Sequence, residues 1–164
     1  IDLAIFKKLQ KKFQNKDEIR SRGIELEMKY NFGIGTYIAM NYTYQNAENL
    51  DTKEHFQNIP KHKGNIMANI RLSKYFNFYS DFHFQKGYER EADDIRDDNS
   101  GFGIFNTTLI AKKFLKGYEG LELHGSVYNL FDENYMSPNP LGDRLPGDIP
   151  MPGRNFMLEV HYKF

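Results

Sequence analysis

The chain has 164 residues, with 22 Lys and Arg against 22 Asp and Glu, and it contains no cysteine. The balanced charge gives no bulk field that would point to nucleic acid or to an acidic substrate. The lack of cysteine excludes a disulfide framework, a zinc–thiolate site and a cysteine nucleophile. No apolar run approaches the roughly 20 residues that a spanning helix needs. Phe and Tyr raise the aromatic share to 15%, which suits an all-β core or the aromatic girdles of a membrane barrel.

The first segment, residues 1–13, is ambiguous between a basic amphipathic helix and a strand. Its apolar residues fit either period; they are Leu3, Ile5, Phe6, Leu9 and Phe13. We predict a strand followed by a loop, because residues 15–18 then reverse the chain and supply a partner for the strand that holds Gly23.

Clean alternation follows and predicts two hairpins. Residues 24–30 alternate with polar neighbours, residues 31–33 form a turn, and residues 34–44 alternate again. The second hairpin repeats this pattern. Its apolar set is Ile66, Ala68, Ile70 and Leu72, then a turn near 74–77, then Phe78, Ser80, Phe82 and Phe84.

The third hairpin is less clear on its first strand. Residues 105, 107, 109 and 111 supply one candidate apolar face, but Ile104, Thr108 and Ile110 lie on the opposite parity. A turn at 116–120 leads into Leu121, Leu123, Gly125 and Val127. The chain then ends on an alternating strand with Phe156, Leu158, Val160, Tyr162 and Phe164 on one face.

Short turns therefore alternate with long polar loops at about 46–59, 88–100 and 131–151. Tight turns on one side and long loops on the other are typical of outer-membrane barrels. A soluble up-and-down barrel would bury its apolar face inside and rarely needs loops this long. We predict an all-β antiparallel transmembrane meander of about eight strands, with the apolar face on lipid and the polar face towards a lumen.

Five segments, in order, resemble the C-terminal barrel portion of TonB-dependent outer-membrane receptors: SRGIELEMKY (21–30), NYTYQNA (41–47), IPKHKGN (59–65), VYNLFDENY (127–135) and MPGRNFMLEVHYKF (151–164). The most specific sign is NLFDENY followed, after a Pro- and Gly-rich loop, by PGRNF and a final aromatic residue. The resemblance implies that residues 1–164 are the C-terminal portion of a plugged barrel of roughly 22 strands. The family's N-terminal plug and TonB-contacting segment have no counterpart in these residues.

The implied function is that of a receptor of the outer membrane of a Gram-negative bacterium. Such a receptor takes up a scarce nutrient, a ferric siderophore or similar metal chelate, or cobalamin. The alternative is a complete eight-stranded barrel that serves as an anchor or adhesin. No enzyme activity and no cofactor are expected, since a hydrolase built on His83 or His124 has no serine or paired-carboxylate motif to support it.

The implied partners are outer-membrane lipid and lipopolysaccharide, the TonB complex acting through the plug, the metal-chelate ligand and the barrel-assembly machinery. Lipopolysaccharide phosphates are the candidate contact of Lys7, Lys8, Lys11 and Lys12 at the outer rim. The resemblance assigns recognition by the assembly machinery to Tyr162 and Phe164, because an aromatic edge strand adds to an exposed sheet edge by backbone pairing.

Candidate ligand-binding residues lie on the long loops. They are Asp93, Asp94, Asp97, Asp98, Arg144 and Arg154. Several carboxylates on one loop suit a hard cation or a cationic chelate, although the segment lacks the ordered spacing of a calcium-binding loop and a solvated loop is the simpler interpretation. Histidines 83, 124 and 161 share the polar parity of their strands but lack the spacing of a metal motif, so no metal site is predicted.

Overall fold

The computed structural model describes residues 2–6, 9–13, 18–51, 59–90, 96, 99–139 and 147–164. The strands in these residues are β1 (Asp2–Phe6), β2 (Leu9–Phe13), β3 (Glu18–Gly33), β4 (Thr36–Asn49), β5 (His62–Arg71), β6 (Phe76–Lys86), β7 (Phe102–Lys112), β8 (Leu121–Tyr128), β9 (Met136–Ser137), β10 (Ile149–Pro150) and β11 (Asn155–Tyr162). No helix among the described residues has the length and apolar character that crossing a membrane requires.

The long strands form one antiparallel meander. Its order is β1-β3-β4-β5-β6-β7-β8-β11, and β2 pairs with β3 beside β1. Because β1 and β2 pair with successive halves of β3, they occupy one strand position, and the sheet has eight positions in all. The predicted strand character of the first segment is confirmed for 2–6 and 9–13. The sheet is open, since in the described residues β11 pairs with β8 alone and the first strands pair with β3 alone.

The cross-strand register divides the side chains of the whole sheet between two faces. The cross-strand pairs align the apolar residues of neighbouring strands on one face, as in Met28↔Met40, Met40↔Ile66 and Ile66↔Phe82. The apolar face carries Ile24, Leu26, Met28, Tyr30, Ile38, Met40, Ile66, Ile70, Phe78, Phe82, Phe105, Leu109, Leu123, Val127, Phe156, Leu158 and Val160. The pairs Phe82↔Phe105 and Phe78↔Leu109 settle the face of β7 that the sequence left weakest.

The opposite face is mostly polar. Its side chains include Glu25, Asn41, Asn65, Asp81, His83, Asn106, Thr108, His124, Ser126 and Glu159. The apolar face does not fold over a core of its own. Among the described residues only Ala47, Tyr88 and Ile104 are buried hydrophobic side chains, whereas Phe156 is 74% and Leu158 76% exposed. An apolar face of this extent needs another apolar phase to cover it.

The turns differ from the sequence prediction by a few residues. The first was predicted at 31–33, but β3 continues to Gly33 and the turn is Ile34–Gly35. A register shift between Asn31 and Gly33 absorbs one extra residue, Phe32. The second turn covers 72–75 instead of 74–77, because the Ser73 hydroxyl accepts hydrogen bonds from the backbone N–H groups of Tyr75 (3.0 Å) and Phe76 (3.1 Å). The third is longer than 116–120, since β7 ends at 112 and β8 begins at 121.

The long connections lie at the other end of the strands and cover 50–61, 87–101 and 129–154. The alternation of long and short is not strict at the start, because only four residues separate β2 from β3. The last connection contains an element that the sequence analysis missed, a two-stranded ribbon in which Ile149 opposes Ser137 and Pro150 opposes Met136.

We expect Gly64→Ala to destabilise the sheet by about 1–3 kcal/mol, as overpacking does. A Cβ atom at Gly64 would lie 2.7 Å from Phe84 Cε1 and 2.8 Å from the Asn41 carbonyl oxygen, and the backbone oxygen cannot rotate away. The matched control is Gly125→Ala, on the same apolar face, where a Cβ atom meets nothing within 4 Å. Unfolding of the detergent-extracted native protein, followed by heat-dependent gel mobility, measures both. Equal stability of the two variants would contradict the packing described here.

Candidate functional site

The base of the last long loop is organised by Asn129. This residue is 3% exposed and adopts a left-handed backbone conformation, with φ of 51°. Its backbone N–H donates to the Asn106 side chain (2.9 Å), its side-chain amide donates to the Glu133 carbonyl (2.9 Å), and its side-chain oxygen accepts from the Glu133 N–H (2.8 Å). Asn is one of the few residues that tolerate this conformation. The NLFDENY motif is thus a turn fixed to the neighbouring strand.

The two segments that carry the family resemblance meet at this base. Asp132, also left-handed with φ of 58°, accepts a hydrogen bond from the Arg154 backbone N–H at 2.7 Å. A Cβ atom on Gly153 would lie 2.9 Å from the Asp132 carboxylate, so a larger residue there would push this carboxylate away from its present position. The Arg154 side chain, a predicted ligand contact, is exposed and donates to the Leu130 carbonyl at 3.4 Å. Its observed contacts close the base of the loop.

A cavity of about 640 Å³ lies between this loop and the polar face of the sheet. Its lining combines strand residues with loop residues: Asn65, Asp81, His83, Gln85, Phe102, Ile104, Asn106, Tyr128, Asn129, Tyr135, Ser137, Met151, Pro152 and Asn155. Small-molecule sites commonly have volumes of about 300–1,000 Å³, with a few fixed polar groups among apolar and aromatic ones. We take this cavity as the candidate functional site.

A chain of hydrogen bonds fixes the polar groups of the cavity wall. The Tyr88 hydroxyl donates to the Gln85 side-chain oxygen, and the Gln85 amide nitrogen lies 3.0 Å from His83 Nε2. On the other side of the ring, His83 Nδ1 lies 2.8 Å from Asn65 Oδ1, and Asn65 donates to Asn41 at 3.0 Å. A neutral imidazole with its proton on Nδ1 satisfies both partners. Burial raises the pKa of Tyr88, which keeps its hydroxyl a donor.

Aromatic contacts join the wall to the loop across the cavity. The Phe102 ring centroid lies 5.6 Å from that of His83 and 4.6 Å from that of Tyr135, with interplanar angles near 50° in both cases (49° and 47°). Tilted aromatic pairs at these separations contribute about 0.5–1.5 kcal/mol beyond area burial. All three rings line the cavity and offer an aromatic surface to a ligand within it.

Asp148 ties two long loops together. Its carboxylate accepts hydrogen bonds from Arg90 (2.7 Å), from the Asn99 side chain (2.8 Å) and from the Asn139 backbone N–H (3.2 Å), and it lies 3.7 Å from the Arg96 guanidinium. Arg90 and Arg96 come from the 87–101 loop, whereas Asp148 and Asn139 belong to the 129–154 loop. Burial raises the pKa of Asp148, but the hydrogen bonds from Arg90, Asn99 and Asn139 outweigh it and hold the pKa below its ordinary value.

The remaining predicted ligand contacts, Asp93, Asp94, Asp97, Asp98 and Arg144, lie outside the described residues, as do Lys7 and Lys8. Sequence reasoning named Arg154 in the loop but missed Asp148 and Arg90. It also missed a close group of side chains on the polar face, in which the ligand atoms of His124, Glu159 and His161 lie within 4.8 Å of one another. The sequence showed their shared polar parity, but not the register of β8 and β11 that brings them together.

Loss of the Asp148 carboxylate should loosen both loops. In Asp148→Asn at pH 7 we expect hydrogen exchange of the amides in 87–90 and 147–150 to accelerate about tenfold, because hydrogen bonds to charged groups contribute about 1.5–3 kcal/mol. The contribution of a carboxylate with a depressed pKa is present above its ordinary pKa of 3.8 and is lost as the pH falls through the lowered folded-state value. The exchange difference between wild type and variant should therefore shrink below pH 3.8.

The control for that measurement is Asp51→Asn, in an exposed turn where the Asp51 backbone N–H donates to the Asn49 side-chain oxygen at 2.9 Å. It should leave exchange in both loops unchanged. An exchange difference for Asp148→Asn that is absent at pH 7, or that stays constant into the acid range, would show that the carboxylate does not hold the loops.

Comparison with solved structures supports the fold. The ferric-catecholate import receptor Fiu of E. coli K12, in its closed form, superposes with a TM-score of 0.76 at 17% identity, over 99% of this chain and 25% of that one. The ferric citrate transporter FecA, unliganded, gives 0.75 at 20% identity, over 99% and 28%. The copper transporter OprC gives 0.71 at 19% identity, over 90% and 24%. The chain thus spans about a quarter of the length of the structures that it matches.

Sequence comparison identifies the family. Among curated protein sequences no significant match is found. A family model described as "TonB dependent receptor-like, beta-barrel" matches residues 6–130, which is most of the chain. The open antiparallel meander of the structure is consistent with this family match. The chain therefore belongs to the TonB-dependent receptor β-barrel family.

Proposed function

We propose that this chain forms part of the wall of an energy-coupled receptor that imports a scarce nutrient across the outer membrane of a Gram-negative bacterium. The family match over residues 6–130 carries the proposal. The cargo that we favour is a ferric siderophore or similar metal chelate, and cobalamin is the second candidate. The names of the solved neighbours, which specify ferric-catecholate, ferric citrate and copper, support a metal-containing cargo. These names are those of receptors and transporters, so we propose no enzymatic reaction.

The two faces of the sheet supply the physical basis. In lipid every backbone polar group must be paired within the protein, which a strand meander achieves once its edges are closed by further strands. The apolar face then contacts acyl chains, and the polar face lines the lumen. The long strands β3 to β8 and β11 have 8 to 16 residues. A tilted transmembrane strand needs about 9–11 residues, so these strands are long enough to cross a bilayer once adjoining turn residues extend the shortest of them.

The open sheet favours a larger barrel over a complete eight-stranded one. A small closed barrel requires its first and last strands to pair, yet β1 and β2 pair with β3, and β11 pairs with β8. We therefore propose that residues 1–164 are the C-terminal section of a barrel of roughly 22 strands, with a plug and TonB box contributed by residues outside this chain. On this proposal the turns at 34–35, 72–75 and 113–120 face the periplasm.

The cavity is the proposed contribution of these strands to cargo binding. Its aromatic surface, made by Phe102 and Tyr135, suits the planar rings of many chelates, and Asp81, His83 and Asn106 supply fixed polar groups. The 87–101 and 129–154 loops, joined through Asp148, would stand above it. The loop residues that lie outside the described part of the chain, Asp93, Asp94, Asp97, Asp98 and Arg144, stay candidate contacts from the sequence, and Arg154 holds the base of the last loop.

Uptake by the source bacterium tests the function. Cells that lack the gene should lose TonB-dependent uptake of at least one of four probes, and a plasmid copy should restore it. The probes are radioactive iron presented as ferric catecholate or as ferric citrate, copper, and cobalamin.

Phe102→Ala should raise the concentration for half-maximal uptake about tenfold, equivalent to about 1.4 kcal/mol. His62→Gln, on the apolar-face parity opposite Tyr44, is the matched control and should not. Unchanged uptake of every probe in the deletion strain would refute the proposal.

We also propose that Tyr162 and Phe164 form the recognition signal for the barrel-assembly machinery. Phe164 is fully exposed, and its ring packs edge-to-face on Tyr162 with centroids 5.0 Å apart. The terminal strand β11 lies at an edge of the sheet, where backbone pairing with a partner strand is available. Lipid, lipopolysaccharide and TonB complete the set of proposed partners.

Phe164→Ala should lower the amount of assembled protein in outer-membrane fractions several-fold, because an aromatic anchor for the assembly machinery is lost. Quantitative blotting of heat-modifiable protein measures this. The control is Ile34→Ala, which removes another highly exposed apolar side chain (86%) from a turn and should leave the amount unchanged. Equal yields from both variants would remove Phe164 from the proposed signal.

A further inference from the structure

A group of imidazole and carboxylate side chains bridges β8 and β11 on the polar face. His124 lies directly opposite Glu159, and His161 lies directly opposite Glu122. One ligand atom from each of His124, Glu159 and His161 lies within 4.8 Å of the others. None of these residues lines the cavity described above.

The local geometry keeps the nitrogen and oxygen atoms together. The two imidazole rings stack at a centroid distance of 4.4 Å with a tilt of 35°. His124 Nε2 is 3.4 Å from Glu122 Oε2, and His161 Nε2 is 3.7 Å from Glu159 Oε1. Two imidazoles and two carboxylates therefore share one patch of the sheet, held by adjacent hydrogen-bonded strands.

We propose that His124, His161 and Glu159 bind a divalent transition metal, of the Zn²⁺, Ni²⁺ or Cu²⁺ class, on the wall of the barrel. Imidazole nitrogen and carboxylate oxygen are the ligands of these ions, and Cu²⁺ binds such sets most tightly in the first-row series. With metal–ligand bonds of about 2.0–2.2 Å, atoms around one tetrahedral ion lie about 3.4 Å apart. Reaching that spacing needs small side-chain rotations, for which the half-exposed His161 and Glu159 have room.

The proposed metal site differs from the cavity that we propose for cargo. Its three ligands sit on two rigid strands, which pre-organise a metal centre better than loops do. Glu122 or a water molecule would complete the coordination. A bound ion would join β8 to the edge strand β11 and stabilise that pair by mass action. The inference rests on the geometry of this wall and stands whether or not the imported cargo is a metal chelate.

Without a metal, the same side chains would form two His–Glu pairs, Glu122 with His124 and Glu159 with His161. A metal places both imidazoles on one ion, whereas the paired arrangement keeps each ring with its own carboxylate. Copper titration distinguishes the two, because electron paramagnetic resonance reports the number of nitrogen atoms bound to Cu²⁺.

The experiment uses the native protein, extracted from outer membranes with detergent and stripped with EDTA, and CuCl₂ as the probe. One equivalent of Cu²⁺ should bind with the hyperfine pattern of two imidazole nitrogens. His161→Gln should weaken this binding by more than the roughly 10–100-fold that loss of an outer-shell partner costs, and should leave a one-nitrogen pattern. Glu159→Gln should weaken binding and keep two nitrogens. His62→Gln, on the opposite face, should change neither.

The inference is overturned if wild type shows no stoichiometric Cu²⁺ binding, or shows a spectrum with fewer than two nitrogens. It is equally overturned if His161→Gln and His62→Gln reduce binding alike, which would identify scattered surface binding. The first two of these outcomes need wild type alone, so the inference can be refuted even if a variant fails to assemble. Loss of nutrient uptake in the preceding test would not alter these spectra, so failure of the two proposals can be told apart.

Discussion

The structure depends on one constraint: the cross-strand hydrogen bonds hold every strand in a register that keeps a single side-chain parity from β3 to β11. A slip of one residue at any pair would turn that strand's apolar side chains to the polar face. The pairs Met40↔Ile66, Ile66↔Phe82 and Leu123↔Val160 therefore specify together which side of the sheet is apolar, the side that we propose faces lipid. Lipid strengthens this constraint, since it offers no hydrogen bonds to an unpaired backbone group.

The polar face gains its properties from the same register. Asn65 and His83 hydrogen bond because β5 and β6 place them opposite each other, and Asn106 reaches Asp81 for the same reason. The long loops then lean on this face at two points. Asn129 anchors the last loop to β7 through Asn106, and Asp148 joins it to the preceding loop. The candidate cavity exists because a polar wall and an anchored loop enclose space between them.

Much of the sheet could be predicted from the sequence because period-two alternation is local information. It predicted the long strands and their two faces and placed the long loops, whereas the family was indicated by motifs such as NLFDENY and PGRNF. The turns moved by a few residues, because Ser73 hydrogen bonds and a bulge near Gly33 decide where a strand ends. The site was less predictable. Asn129 reaches Asn106 over 23 residues, and His124 meets His161 only once the register of β8 and β11 is known, so linear spacing carried no sign of either contact.

The most direct test of the two-faced sheet is a spin-label scan of residues 105–110 in β7, since these 164 residues contain no cysteine that would compete for the label. The native protein would carry one cysteine at a time and be reconstituted in lipid vesicles. Labels at Phe105, Thr107 and Leu109 should collide mainly with lipid-dissolved oxygen, and labels at Asn106, Thr108 and Ile110 should be shielded from it, in strict alternation. Accessibility without a period of two, or oxygen contact on the even positions, would contradict the assignment of lipid and lumen on which the whole account depends.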